Sequence, residues 1–236
     1  MILEIIVSCN NIMDDNNNDF EFKFPFLMAS IAKRGSGKSF LTKYLVHNWI
    51  ENGDIDEVMA FTNTNELNGE YDYLKKKFIF NRYDEQTMKK IMEAQKTQIK
   101  KNPKKVKNIL VIMDDVIGSL DSYSPTVREL ITQGRHYKIS LILNIQISKR
   151  EFSTDFRKNA DYFLIGYNGK DTFRQLYEEF EFKGKLNEFV EFMHQNTTDY
   201  NFVLYVNKVM DTYDVNKRYK IIRAEDSEEI KKFKVK

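Results

Sequence analysis

The residues most suited to chemistry form one short run, AKRGSGKS at positions 32–39, which follows the apolar FPFLMASI and precedes the helical FLTKYLVHNWI. Gly35 and Gly37 let the backbone curl so that its N–H groups point at phosphate oxygens, and the following helix adds its positive end. With this spacing Lys38 lies between the β- and γ-phosphates of a nucleotide, and the Ser39 hydroxyl binds Mg²⁺. The run therefore predicts a P-loop, with Ala32 in place of the usual first glycine. The predicted nucleotide-binding residues are Lys33, Arg34, Gly35, Ser36, Gly37, Lys38, Ser39 and Phe40.

A second candidate group lies in NILVIMDDV at positions 108–116, an apolar run of strand length that contains two adjacent carboxylates. Asp114, at the end of the strand, is predicted to hold Mg²⁺ directly or through water. Asp115 is predicted to project toward the γ-phosphate, where a carboxylate can accept a proton from the attacking water. The alternative for Asp115 is a capping role at a turn or at the start of a helix.

The next apolar run, ISLILNI, is followed by the polar residue Gln146. A polar side chain at the carboxyl end of a central strand faces the crevice where ligands bind. We therefore predict that Gln146 orients the γ-phosphate and the attacking water. The alternative is a polar residue that simply leaves the sheet.

The elements that must position these residues alternate between apolar runs of strand length and helical patterns. Strands are predicted at 26–31, 55–61, 108–114, 139–146, 161–165 and 201–206, with another around 219–223. Helices are predicted at 38–52, 84–101 and 125–134, and within 170–194. Strand, helix and strand at this spacing indicate an α/β fold with a mostly parallel central sheet flanked by helices. Continuous apolar strands such as ILVIMD are typical of sheets that helices cover on both faces.

Length and composition limit the number of domains. The 236 residues allow one large domain or two small ones, at about 150 residues per domain, and three prolines and nine glycines leave little room for a long linker. We predict a flexible N-terminal segment at 1–19, which is rich in Asn and Asp, and one domain at 20–223. The charged C-terminal tail at 224–236 is predicted to be a solvated helix or disordered.

The charge balance restricts the mode of any DNA binding. Lys and Arg total 37 and Asp and Glu total 35, which leaves a net charge of +2. A protein that coats DNA as a monomer needs a much larger positive excess, so any DNA contact must be local or shared among several copies. The single cysteine cannot form an internal disulfide, which favours a reducing interior. No membrane association is expected, because the apolar run at 1–7 is far shorter than the ~20 residues that span a bilayer.

With these motifs in place, the sequence resembles the FtsK-HerA superfamily of P-loop motor ATPases, and within it the poxvirus-type genome-packaging ATPases of large DNA viruses and their virophage or polinton-like relatives. The resemblance is carried by FPFLMASIAKRGSGKS, FTNTNELNGEYDYL at 61–74, ILVIMDDVIGS at 109–119, GRHYKISLILNIQ at 134–146 and NADYFLIG at 159–166. It implies a RecA-like core, hydrolysis of ATP with Mg²⁺, a homo-oligomeric ring and translocation of double-stranded DNA into a capsid. It also implies contact with capsid proteins and a location at viral assembly sites in the host cytoplasm or nucleus, or in the virion.

Individual residues match the pattern of this superfamily. Lys38, Ser39, Asp114 and Gln146 match its ATP site, while Asp115 stands where the superfamily often has glutamate. Arg135 matches the arginine that one subunit supplies to its neighbour's ATP. A guanidinium suits this role because its fixed charge and forked donors fit γ-phosphate oxygens. The alternative for Arg135 is a surface salt bridge or a cap at a helix end, and the further candidates for a supplied arginine are Arg128, Arg150 and Arg157.

Several other classes of protein also contain a P-loop. A small GTPase has a DxxG motif, which DVIG at 115–118 matches, but the guanine-binding NKxD motif is missing. A nucleotide kinase normally has a cluster of arginines around the acceptor phosphate, whereas the nine arginines here are scattered. A DNA helicase or DNA-transfer ATPase, and a switch that binds ATP without hydrolysing it, are also compatible with the loop.

Two further patterns have structural explanations. The basic run at 96–107 either contacts the DNA backbone or solvates a helix and a loop, and the second interpretation is favoured. Tyr71, Tyr73, Phe78 and Phe80 are predicted to be core residues rather than a base-stacking surface. The three histidines and one cysteine lack the spacing of zinc ligands.

Overall fold

A mostly parallel sheet of eight strands forms the centre of the computed structural model, which describes residues 20–116, 120–121, 124–145, 154–179, 184–208 and 218–235. The strands are β1 (Leu27–Ile31), β2 (Glu57–Thr62), β3 (Ile79–Phe80), β4 (Ile109–Asp114), β5 (Ile139–Ile145), β6 (Tyr162–Ile165), β7 (Phe202–Val206) and β8 (Tyr219–Ile222). The helices are α1 (Lys38–Glu51), α2 (Asn65–Asn68), α3 (Glu85–Lys101), α4 (Pro125–Gln133), α5 (Thr154–Asn159), α6 (Lys170–Glu179), α7 (Leu186–Asn196) and α8 (Glu228–Lys232). The predicted fold class is confirmed, and β3 is a strand that the sequence did not predict.

The strand order is β3-β2-β4-β5-β1-β6-β7-β8. The pairs from β3 to β6 are parallel, whereas β7 runs antiparallel to β6 and β8 antiparallel to β7. Strand β5 lies between β1 and β4, so that Asn144 is opposite Ser30 on one side and Asp114 on the other. Strand β5 therefore separates β4, which ends at Asp114, from β1, which precedes the predicted P-loop.

Helices cover both faces because each strand sends alternate side chains to opposite sides of the sheet. In β1, Leu27 belongs to one buried hydrophobic cluster and Met28 to the other. Helix α1 packs Leu41 and Leu45, four residues apart, into the cluster of Met28, while α3 packs Met88 into the cluster of Leu27. The continuous apolar strands are thus buried on both sides, as their sequences predict.

One edge of the sheet collects the loops that matter for the site. The carboxyl ends of the parallel strands β1, β2, β4, β5 and β6 all meet there. Because β7 is antiparallel to β6, its first residues lie at the same edge. Side chains just after β6 and just before β7 are therefore brought beside the loop that follows β1.

The C-terminal tail contains a short helix, one of the two alternatives predicted for it, and its described charged residues are exposed. Helix α8 begins after Ser227, whose side chain accepts a hydrogen bond from the Ile230 N–H, and Ile230 is buried. The Phe233 ring lies 4.8 Å from the His47 ring of α1. Ile230 is buried, and Phe233 and Val235 are partly buried against the hydrophobic cluster that contains Met28. The predicted segment 1–19 lies outside the described residues.

Candidate functional site

Residues 32–37 form a tight loop between β1 and α1, and Lys38 and Ser39 are the first two residues of α1. Gly35 has φ +77° and Gly37 has φ +90°, in the left-handed region that suits residues without a Cβ. Gly37 is also the N-cap of α1, so the free N–H groups of the first helical turn open on this loop. The Ser36 hydroxyl donates a hydrogen bond of 2.6 Å to the Lys33 carbonyl and stabilises the turn. The loop therefore presents backbone N–H groups and a helix N-terminus to one point, which is the geometry of an anion site.

Lys38 folds back on this loop. Its Nζ donates hydrogen bonds to the carbonyl oxygens of Ala32, at 2.6 Å, and Lys33, at 3.1 Å. Burial lowers the pKa of the Lys38 ammonium, although the nearby carboxylates of Asp114 and Glu70 favour its charged form. Hydrogen bonds from an ammonium to an anion are stronger than those to neutral carbonyls, so an anion bound in this loop would stabilise the Lys38 ammonium further.

Ala32 is accommodated in place of glycine because a glycine stands opposite it. The first residue after β6 is Gly166, and a Cβ built there would lie 2.9 Å from the Ala32 Cβ and 2.5 Å from the Phe202 ring. The Gly166 N–H also donates to the Ile31 carbonyl at 3.0 Å. The methyl group of Ala32 thus fills the space that Gly166 leaves, and the loop keeps its shape without the first glycine of the pattern.

Ser39, the predicted Mg²⁺ ligand of the loop, contacts a residue that the sequence did not suggest. Its hydroxyl donates a hydrogen bond of 3.0 Å to the Glu70 carboxylate. Glu70 lies in the segment between α2 and β3, and Asn65 of α2 accepts a hydrogen bond from the neighbouring Tyr71 N–H at 2.7 Å. A long loop after β2 therefore brings an additional carboxylate to the phosphate site.

Asp114 ends β4 and is buried, with 8% of its surface exposed. Its Oδ2 accepts a hydrogen bond of 2.7 Å from the Tyr71 hydroxyl, and that hydroxyl accepts one of 3.2 Å from Asn144 Nδ2. Burial raises the pKa of the Asp114 carboxyl, and the hydrogen bond from Tyr71 partly opposes this increase. Tyr71 was predicted to be a core residue, and it is fully buried, but its hydroxyl also orients the predicted metal ligand.

Asn144 is a second residue that the sequence analysis missed. It is a buried amide in an otherwise apolar strand, next to Asp114 in the β4–β5 register, and this interruption is the signal that points to it. Its Oδ1 is buried and has no hydrogen-bond partner among the described residues. A buried acceptor beside Asp114 and Tyr71 is suited to an external donor such as a water molecule.

Asp115 lies just beyond β4, in the left-handed conformation with φ +52°. Its carbonyl accepts a hydrogen bond of 2.8 Å from Asn63 Nδ2. The side chain is exposed at the carboxyl edge and contributes to the electrostatic field at Lys38. Helix α4 is capped by Ser124 rather than by Asp115. The role of Asp115 as a proton acceptor stays a prediction. The role of Gln146 also stays a prediction, because this residue lies outside the described residues.

Arg135 lies at the opposite edge of the sheet, just before β5. Its Nη1 donates hydrogen bonds to Asp161 Oδ2, at 2.7 Å, and to the Asn159 carbonyl, at 3.0 Å. The same Asp161 oxygen accepts from the Leu27 N–H at 2.8 Å. Arg135 therefore does not reach the P-loop of its own chain, and its predicted role in a neighbouring subunit stays a prediction.

The further candidate arginines are also paired within the chain where the structure describes them. Arg128 bonds Asp155 through Nε, at 3.1 Å, and Nη2, at 3.0 Å. Arg157 Nη1 lies 2.6 Å from Glu179, and Arg150 lies outside the described residues. In the basic run, Lys96 and Lys107 pair with Glu129 and Glu57. The ion pairs of Lys96 and Lys107 support the structural interpretation of the basic run, and those of Arg128 and Arg157 give these arginines a structural role within the chain.

Oxygen donors of the chain suit Mg²⁺ with a bound nucleotide. The hydroxyl of Ser39 and the carboxylates of Asp114 and Glu70 are the hard ligands that this cation prefers. The buried Asn144 oxygen and the two loop carbonyls held by Lys38 are further groups whose partners can be exchanged when phosphates bind. The described residues contain no group of three His, Cys, Asp or Glu side chains that could hold a metal ion alone.

A mostly parallel sheet with a glycine-rich loop after β1 and an aspartate at the end of β4, separated by β5, defines a P-loop NTPase with a RecA-like core. Residues 16–235 match the model of the family described as Poxvirus A32 protein. The chain belongs to this family, which confirms the resemblance found in the sequence.

Two viral proteins are similar to this chain in sequence. Uncharacterized protein 075L of Invertebrate iridescent virus 6 is 27% identical over 210 residues, which cover 85% of this chain and 78% of that protein. Uncharacterized protein L437 of Acanthamoeba polyphaga mimivirus is 28% identical over 164 residues, and the match spans 65% of this chain and 56% of L437.

Solved structures share the fold. The genome packaging NTPase B204 from Sulfolobus turreted icosahedral virus 2, in complex with ATP-γS, has a TM-score of 0.60 and 19% identity, over 86% of this chain and all of that chain. The conjugation coupling protein TcpA of pCW3, also with ATP-γS, has a TM-score of 0.55 and 14% identity, over 88% of this chain and 62% of that chain. Within the described residues, no helix is long and apolar enough to cross a membrane.

Proposed function

We propose that this protein hydrolyses ATP with Mg²⁺ and uses the energy to translocate double-stranded DNA during the packaging of a viral genome. The observation that carries the proposal is the convergence of Lys38, Ser39 and Asp114 on one loop edge, where Glu70 and Tyr71 hold the two predicted metal ligands. Family membership and the likeness to B204 support the packaging role.

The chain's own groups supply binding and orientation. Lys38 exchanges its two carbonyl partners for phosphate oxygens, and the loop N–H groups bind the remaining oxygens. Ser39 and Asp114 direct oxygen ligands toward the metal position. When bound there, Mg²⁺ neutralises the charge that develops on the phosphates. In this proposal Asp115 accepts the proton of the attacking water, and Gln146, which lies outside the described residues, orients that water.

We further propose that the active form is a homo-oligomeric ring at the viral assembly site, in contact with capsid proteins, in which Arg135 serves the site of a neighbouring subunit. In this arrangement Arg135 must exchange Asp161 for a phosphate. A net charge of +2 suits a ring, because each copy needs only a few basic residues toward a central DNA duplex.

The decisive experiment measures ATP turnover with and without duplex DNA. We expect DNA to stimulate turnover and Lys38→Ala to lower it by about 100-fold or more, since it removes a preorganised charge from the phosphates. Lys89→Ala is the matched control, because it removes an exposed lysine of α3 that pairs with Glu85 of the same helix. Binding without turnover would support a switch, and turnover that requires a small acceptor would support a kinase. Turnover that is unaffected by Lys38→Ala would refute the site.

The ring requires a separate test. The mass of the ATP-bound assembly, measured with and without duplex DNA, should correspond to several copies. Arg135→Ala should retain ATP binding and lose hydrolysis, and mixing it with Lys38→Ala subunits should restore part of the activity. A monomer under all conditions would overturn the motor, and mixed assemblies without restored activity would confine Arg135 to its own subunit.

A further inference from the structure

Tyr200 is an exposed aromatic residue beside the P-loop. It precedes the antiparallel strand β7, which starts at the edge where the loop lies, and 64% of its surface is exposed. A Cβ built on Gly37 would lie 3.0 Å from Tyr200 Cδ1, so the ring packs directly against the loop at that glycine. The ring makes no aromatic or cation contact with other described residues. The exposed part of this side chain therefore lies beside the loop, at the rim of the phosphate site.

The backbone holds this ring in an unfavourable conformation. Asp199 has φ +53° and Tyr200 has φ +62°, two consecutive non-glycine residues in the left-handed region. Such residues persist only where the surrounding structure imposes them, and they concentrate at functional sites. The turn before β7 thus keeps an aromatic side chain against the loop instead of the glycine or asparagine that the turn favours.

The layout of the site gives the direction in which a nucleotide extends. The carboxylates of Asp114 and Glu70 lie on the side of β4 and of the loop after β2. In the proposed ATP site this side receives the metal and the terminal phosphates. The nucleoside must then leave the loop on its other side, toward β6 and β7. Tyr200 stands on that side, in contact with the loop.

We propose that the base of the bound nucleotide stacks on the Tyr200 ring. This inference rests on the proposed ATP site and extends it to the nucleoside. Every base has a π-face, so stacking on one tyrosine stabilises ATP and GTP alike. Removal of a stacking ring costs about 1–3 kcal/mol by alanine substitution, which corresponds to about 5- to 150-fold in affinity.

Tyr167 provides the matched control. It follows β6 at the same edge and is 46% exposed, but its ring already lies 5.6 Å from the Lys33 ammonium and 6.3 Å from the His194 ring. Substitution of Tyr167 therefore tests whether any exposed aromatic residue beside the loop contributes to ATP affinity or whether Tyr200 alone does.

The test compares ATP with inorganic triphosphate, which has the phosphates and lacks the base, by calorimetry in the presence of Mg²⁺. Tyr200→Ala should weaken ATP binding by about 5- to 150-fold and leave triphosphate binding within about twofold, whereas Lys38→Ala should weaken both. Tyr200→Phe should retain ATP affinity, and Tyr167→Ala should change it by less than about twofold. Tyr200→Asn removes the ring with a residue that tolerates the turn, so the comparison does not depend on the folding of Tyr200→Ala.

Three results would overturn the stacking site while leaving the ATP site intact. These are unchanged ATP affinity in both Tyr200→Ala and Tyr200→Asn, an equal loss of triphosphate affinity in them, and an equal loss of ATP affinity in Tyr167→Ala. Wild-type protein that binds neither ATP nor triphosphate would instead overturn the proposed function itself. As a direct readout, Tyr200→Trp should add indole fluorescence that ATP quenches and triphosphate does not.

Discussion

Replacing Tyr71 with phenylalanine tests how the predicted metal ligand is held. The substitution keeps the ring in its fully buried place and removes only the hydroxyl that donates to Asp114 at 2.7 Å and accepts from Asn144 at 3.2 Å. A hydrogen bond to a charged group contributes about 1.5–3 kcal/mol. The phenylalanine ring leaves the Asp114 carboxylate without this donor, so Tyr71→Phe should lower the free energy of unfolding by about that amount. For a protein of this size the unfolding temperature falls by about 3–12 °C.

The same change should affect Mg²⁺ specifically. With Asp114 no longer oriented, the stabilisation by ATP with Mg²⁺ should decrease, while the stabilisation by ATP in EDTA should remain. Thermal unfolding of wild type and variant under these two conditions measures both effects.

The chain contains a matched control. The Tyr73 hydroxyl is also buried, but it has no hydrogen-bond partner among the described residues. Tyr73→Phe should therefore leave the unfolding temperature unchanged or raise it. Equal stability losses in Tyr71→Phe and Tyr73→Phe, or unchanged stability in Tyr71→Phe, would refute the role of the Tyr71 hydroxyl.

Three further substitutions test separate parts of the structure. Gly166→Ala places a methyl group 2.5 Å from the Phe202 ring and should lower the free energy of unfolding by about 1–3 kcal/mol in urea titrations; an unchanged midpoint would contradict this packing. Asp114→Asn removes a carboxylate whose pKa burial raises, so the nucleotide-free protein should unfold at a higher temperature near neutral pH and lose its stabilisation by Mg²⁺ with ATP. A lower unfolding temperature would show that the charge stabilises the empty site. Arg135→Ala removes the ion pair with Asp161 and should lower the free energy of unfolding of the monomer by about 1–2 kcal/mol. Urea titration at a protein concentration below that of assembly measures this loss. An unchanged free energy of unfolding would show that the ion pair does not stabilise the monomer.

Local patterns in the sequence predicted most of the fold. The pattern of apolar residues predicted the long helices and every described strand except β3. The strands were recognisable because burial on both faces of the sheet gives continuous apolar runs. The glycine and lysine spacing of 32–39 predicted the loop, since left-handed glycines and a helix N-terminus are local requirements. Asp114 was predicted because a carboxylate at the end of an apolar strand is visible without knowledge of strand order.

Only the tertiary structure decided which distant residues complete this loop. Glu70 and Tyr71 reach Ser39 and Asp114 across 31 and 43 positions of the chain, and no periodicity records such a contact. The antiparallel direction of β7 brings Tyr200 to Gly37, and strand direction depends on pairing rather than on local sequence. The sequence by itself therefore determined the phosphate-binding loop and the elements around it. The packing of the sheet decided what surrounds that loop, because register and strand order join residues that are far apart in the chain.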